Sequence, residues 1–124
     1  MQFKLAETYR YWWPVKVRVP DPESPGKIVE QTFKALFEPL DREEQLAESE
    51  RAAGLKTMRD LVDHEIQNAL RVVKNWDEVI GDGGEIVPFS EDKLRQALRH
   101  SWFRAGVQEA LKESLAGEEA RLGN

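Results

Sequence analysis

Residues 11–37 read YWWPVKVRVPDPESPGKIVEQTFKALF, and the pattern in this stretch decides the fold. Val15, Val17 and Val19 alternate with Lys16 and Arg18. A period of two sends the valines to one face of a strand and the charges to the other. Pro14 and Pro20 bracket the alternation. A proline has no N–H to give to a ladder, so the strand either begins near Pro14 or runs along a sheet edge there. Residues 20–26, PDPESPG, form a turn by composition. Lys27 to Phe37 is the second strand. Val29, Gln31, Phe33, Ala35 and Phe37 share one face, and Glu30, Thr32 and Lys34 share the other. Two such strands joined by a turn make an antiparallel hairpin.

Upstream, Phe3 to Ala6 is read as a short additional strand. Downstream, the period changes at Pro39. Asp41 is placed to cap a helix whose first turn carries Glu43 and Glu44, where the helix dipole favours acids. That helix runs to about Ala53 and ends at Gly54. A longer helix follows from Leu55 to about Asn75. Its Leu55, Met58, Leu61, Val62, Ile66, Leu70 and Val73 recur at spacings of three and four and form one buried stripe. Residues 76–89 read as irregular, with a turn at Gly81-Asp82-Gly83-Gly84 and an extended stretch from Glu85 to Phe89. Ser90 caps a short helix, Glu91 to about Arg99, that buries Leu94 and Leu98. A last helix starts near Ser101 and presents Phe103, Val107, Ala110, Leu111 and Leu115. The expected fold class is therefore α+β: an N-terminal antiparallel β-hairpin or three-stranded sheet, then about four α-helices packed on it. Residues 1–124 make one domain, with 1–38 mainly β, 41–117 mainly α and 118–124 a fraying tail.

Bulk properties narrow the function. Of the 124 residues, 40% are apolar and 33% charged, enough for one core beneath a heavily charged surface. The net charge is −5. Residues 1–39 carry +1, 40–75 carry −2 and 76–124 carry −4, so no basic stripe of the kind that nucleic acid requires is present. Cysteine is absent, which removes disulfides and thiolate chemistry and fits a reducing compartment. The first residues lack the apolar core of a signal peptide, and no apolar run is long enough to span a membrane.

Candidate chemistry is sparse. His64 has Asp60 four residues before it, a spacing that could orient an imidazole or hold a metal. The same residues fit a solvated helix face, and that reading is preferred. His100, between two helices, reads as a local cap or an exposed residue. The carboxylates come in solvated runs, not in the contrasting environments that acid–base pairs need. The Gly81–Gly84 turn lacks the Lys and Ser/Thr of a phosphate loop. No serine has a nucleophile elbow around it. The chain is read as non-enzymatic, without a metal or cofactor.

The aromatic residues say more. Tyr11, Trp12 and Trp13 stand together before Pro14. Neighbours on a strand point to opposite faces. One of Trp12 and Trp13 therefore needs a second covering layer or a binding partner, and Trp and Tyr are favoured interface anchors. Tyr11, Trp12 and Trp13 are the candidate partner-binding residues.

Several segments together resemble the tail assembly chaperones of long-tailed bacteriophages. The first is Trp12-Trp13-Pro14-Val15-Lys16-Val17-Arg18-Val19-Pro20 with its Gly-containing turn. The second is Gln31-Thr32-Phe33-Lys34-Ala35-Leu36-Phe37, leading into the acidic helix at Asp41. The third and most specific is Val72-Val73-Lys74-Asn75-Trp76-Asp77, then Val79, an acidic Gly turn, Ile86-Val87-Pro88-Phe89-Ser90 and the Leu94/Leu98 helix. In the third, Ile86, Pro88 and Phe89 would pin the irregular segment against Trp76. The resemblance implies a protein of the infected host cell's cytoplasm, absent from the mature virion. It implies binding to the tape measure protein, which is kept soluble, and recruitment of the major tail tube protein. It also implies that a longer, frameshifted form can exist, and it supplies no catalytic residues. The competing readings are a structural tail component, such as a tube or terminator-like subunit, and an unrelated acidic protein-interaction module. A homo-oligomer formed through the free edge of the hairpin is a further expectation.

Overall fold

The computed structural model describes residues 1–117, 119 and 120. Three strands and four helices follow one another as β1 (Tyr11–Pro20), β2 (Ile28–Phe37), α1 (Arg42–Ala53), α2 (Met58–Val72), β3 (Val73–Asp77), α3 (Glu91–Ala97) and α4 (Ser101–Leu115). The fold is α+β, a three-stranded antiparallel sheet in the order β1-β2-β3 with helices packed on it. No described helix is long and apolar enough to cross a membrane. Glu118 and residues 121–124 of the expected tail lie outside the described residues.

The hairpin forms as the alternation predicts. Tyr11 faces Phe37, Val15 faces Phe33 and Pro20 faces Ile28 without a slip in register. The turn closes through the Asp21 N–H donating to the Lys27 carbonyl at 2.9 Å, and Gly26 supplies the positive φ of 81° that its return requires. Val15, Val17, Phe33, Ala35 and Phe37 lie on one face and enter the core with Val73, Trp76, Leu94, Leu98 and Val107. Fully burying one such side chain contributes roughly 1.5–3 kcal/mol.

Two expectations are corrected. The segment Phe3–Ala6 is not a strand: no residue of 1–10 joins the sheet, and Phe3 and Leu5 are almost fully exposed. The place beside β1 is unsuited to another strand. Pro14 lies directly opposite Lys34 in an unbroken ladder, so its ring nitrogen must face away from β2. Period two then turns the backbone of Trp12, Lys16, Arg18 and Pro20 to the free edge as well, where two of the five positions lack a donor. The third strand instead comes from the middle of the chain. The long helix expected to reach Asn75 stops at Val72, and Val73–Asp77 pairs with β2, setting Trp76 opposite Ala35 and Val73 opposite Phe37. Val73 is buried in either conformation, so the helical stripe could not show where the helix ends. The β-branched pair Val72-Val73 and the open side of β2 decide it. The edge that β3 creates is blunted locally: Asn75 Oδ1 accepts the Trp76 N–H and Asp77 Oδ1 the Glu78 N–H, each at 2.8 Å.

The caps fall where the sequence places them, with one shift. Asp41 and Glu44 form a reciprocal capping box, and Ser90 Oγ accepts the Lys93 N–H. In α2, Thr57 Oγ1 accepts the Asp60 N–H, so the helix starts at Met58 rather than at Leu55. Trp76 is pinned by Phe89, whose ring meets it edge-on at 5.4 Å, and by its Nε1–H donating to the Val87 carbonyl at 2.9 Å. Ile86 and Pro88, expected to share this task, are exposed.

Helix α4 runs against β1 and comes closest at Gly106. A Cβ there would stand 2.6 Å from the Lys16 carbonyl oxygen and 3.2 Å from Val17 Cγ2. Gly106→Ala therefore forces helix and strand apart, and a loss of about 1–3 kcal/mol is expected despite the better helix propensity of alanine; urea unfolding measures it. Trp76→Ala removes a buried ring and its hydrogen bond together. A loss of about 3–5 kcal/mol is expected, read from the same unfolding curves.

Candidate functional site

The parity of β1 separates the three candidate residues. Tyr11 and Trp13 share the inward face with Val15, and Trp12 takes the other. The Tyr11 hydroxyl lies 2.7 Å from Ser114 Oγ, and Trp13 Nε1–H donates to Glu113 Oε1 at 3.0 Å. Tyr11 also meets Trp13 and Phe37 edge-on, at 6.0 and 6.1 Å. These two rings thus join the end of α4 to the hairpin. Trp12 is 47% exposed, on the sheet face opposite Val15.

Around Trp12 the outer face of the sheet is open, while farther along β1 helix α4 reaches over the edge beside Lys16 and Arg18. The cross-strand rows of the open part are Trp12–Leu36–Asn75 and Pro14–Lys34–Asp77. Trp12, Trp13, Pro14, Lys34 and Asp77 line a shallow depression there. Lys34 Nζ stands 3.5 Å from Glu78 Oε1, both side chains about half exposed, so the rim can exchange ion pairs at little cost. The arrangement is an aromatic and aliphatic centre ringed by opposite charges, suited to protein contact. The neighbours Leu36 and Asp77 were not singled out from sequence. Leu36 could have been found by its parity with Lys34, and Asp77 only by knowing β3.

A second feature is a cleft of about 470 Å³ between α1, α2 and α4, with Leu40, Ala52, Ala69, Val107 and Leu111 among its walls. Glu48 stands at its side, 8% exposed and the one buried charged residue among those described. Arg51 and Arg71 both donate to Glu48 Oε1, and Arg71 also reaches Glu44 Oε2 at 2.7 Å. Arg71 therefore clamps α1 to α2 through two carboxylates one helical turn apart.

His64 belongs to this cluster and not to a solvated face. Its side chain is only 15% exposed, with Nδ1 3.7 Å from Glu48 Oε2 and Nε2 3.3 Å from Asn68 Nδ2. Its partners are thus Glu48 and Asn68, and the Asp60 pairing considered from spacing does not form. The signal for this lies in α1, in the i,i+4 repeat of Glu44 and Glu48, and could not be connected to His64 without the fold. No group of three His, Cys, Asp or Glu side chains placed to hold a metal occurs among the described residues. His100 precedes α4 without a side-chain capping bond, and its ring stacks on Trp102 at 5.0 Å.

Where the chain enters β1, Arg10 Nε donates to Glu38 Oε1 at 2.6 Å. Comparison with protein-family models, with characterised proteins and with solved structures finds no match to this chain.

The Arg10 hydrogen bond, the largest effect on Glu38, holds its carboxyl below the ordinary value; the charges of Arg10 and Lys74 add to this and desolvation opposes it. A carboxyl with a depressed folded pKa contributes stability that is present above its unfolded value and is lost as pH falls through the folded one. Arg10→Ala should move the Glu38 titration midpoint upward, toward the unfolded value, and flatten the acid limb of stability. An NMR titration of the Glu38 side-chain carbon measures the shift.

Proposed function

We propose that the chain is a tail assembly chaperone of a long-tailed bacteriophage or prophage. In this reading it binds the tape measure protein in the host cytoplasm, keeps it soluble, helps recruit the major tail tube protein and does not remain in the virion. The ordered resemblance of residues 12–37 and 72–98 to that family carries the proposal. The outward face of the sheet supports it, because a half-exposed Trp12 beside Leu36, ringed by charge, offers apolar contact without a catalytic group. A net charge of −5 also opposes clumping of the complex. The proposed role involves binding and release, with no chemical step.

Co-expression with the tape measure protein of the same phage should raise the soluble fraction of that protein and yield a co-purifying complex. Trp12→Ala should weaken the complex about 30-fold or more, the loss expected of an interface anchor, while changing the folding stability little. Trp13→Ala should act in the opposite order, costing stability first, because its ring is tied to α4. If no complex forms and mass spectrometry finds the protein in purified virions, a structural tail subunit is the correct assignment.

A further inference from the structure

Residues 1–9 form an arm without secondary structure, and Met1, Phe3 and Leu5 are the most exposed large apolar side chains among the described residues. Met1, Phe3 and Leu5 alternate with Gln2 and Lys4, and Phe3 and Leu5 are 88% and 89% exposed. Isolated exposed apolar residues are ordinary, but an alternating row on an unpaired segment is a strand or plug lacking a surface to cover. The same molecule leaves an apolar surface open: the cleft of about 470 Å³ between α1, α2 and α4. That volume lies in the range of sites that enclose a few side chains, and Phe3 with Leu5 would fill much of it.

The charges match. Lys4 is the only charged residue among the first five. The cleft lining contains Glu48 and Glu65 and neither Lys nor Arg. Glu48 is already held by Arg51 and Arg71, whereas Glu65 is 43% exposed and among the described residues pairs with Arg104 alone, at 3.6 Å. Glu65 is thus the carboxylate left for Lys4. The arm joins the fold at Tyr11, which is bound to Ser114, and the residue after Ser114, Leu115, is half exposed and among those lining the cleft. Two copies facing mouth to mouth can therefore exchange arms, each filling the other's cleft, a low-cost and closed route to a two-fold dimer. Within a single chain the arm stands clear of the cleft, as the exposure of Phe3 and Leu5 records.

We infer that this protein dimerises by reciprocal exchange of its N-terminal arms, with Phe3 and Leu5 seated in the partner's α1–α2–α4 cleft and Lys4 beside Glu65. The inference is independent of the proposed phage function.

Sedimentation velocity over a concentration series should show a monomer–dimer equilibrium for the wild-type chain. Phe3→Asp with Leu5→Asp should weaken it by about a hundredfold or more, with an unchanged circular dichroism spectrum, because both side chains are almost fully exposed in the single chain. Raised salt should weaken the wild-type dimer in part, through Lys4. A peptide of residues 1–9 should bind the doubly substituted chain saturably. A benzophenone amino acid at position 3, in a mixture of ¹⁴N- and ¹⁵N-labelled chains, should crosslink to cleft residues of the other isotope. A wild-type monomer throughout the series, a double variant that dimerises like the wild type, no saturable peptide binding, or crosslinks confined to a single chain would each overturn the inference.

Discussion

Side-chain alternation along β1 is the constraint on which the rest of this molecule depends. Because Val15 and Val17 are committed to the core, every odd position from Tyr11 to Val19 faces the helices and every even position faces away. A slip of one residue would bury Lys16 and Arg18 and expose the valines, so the register is held by the cost of burying charge. The helices pack on the odd face, with α4 reaching over the β1 edge beside Lys16 and Arg18. The even face is left with Trp12, Leu36 and the Lys34–Asp77 row, and the proposed partner surface follows from the same parity that builds the core.

The helices are attached by different physics. Helix α4 is held by apolar burial through Val107 and Ala110 and by the close approach at Gly106, with Tyr11 and Trp13 bonding to its far end. Helix α1 buries no apolar residue fully, and its one buried residue is Glu48. What joins α1 to α2 is chiefly the Arg71 clamp on Glu44 and Glu48, with His64 behind it. Ionic attachment weakens with salt and with solvent access, whereas apolar packing does not. The wall of the cleft formed by α1 is therefore its softest, and the wall formed by α4 its firmest.

Much of this was legible in the sequence, for reasons that can be stated. The hairpin was readable because valines alternating with charges admit one register. The helix starts at Asp41 and Ser90 were readable because a capping side chain is a local chemical requirement. Strand β3 was not readable, since Val73 fits both a helical stripe and a sheet position, and the β-branched Val72-Val73 pair ends the helix only where the unpaired side of β2 is there to receive it. Phe3 and Leu5 give the arm the period of a strand, and it forms none because nothing is available for it to pair with. For the candidate surface, the sequence required one of Trp12 and Trp13 to face outward. The parity with Val15 that assigns Trp12 was already present in the letters. The His64 cluster was hidden because its members meet only once α1 folds against α2.

The four tryptophans occupy four distinct optical environments. Trp76 is buried with its indole N–H on a carbonyl, Trp13 is half-buried beside a carboxylate, Trp102 is partly exposed and stacked on His100, and Trp12 is half in solvent. Emission from Trp12 and Trp102 lies toward the red and is open to a collisional quencher, while that of Trp76 lies toward the blue and is shielded. Intrinsic fluorescence therefore carries its own reference. Anything that covers the outer sheet face alters the quenchable red component, and loosening of the core alters the shielded blue one. The native chromophores can distinguish docking from unfolding in one spectrum, without a label.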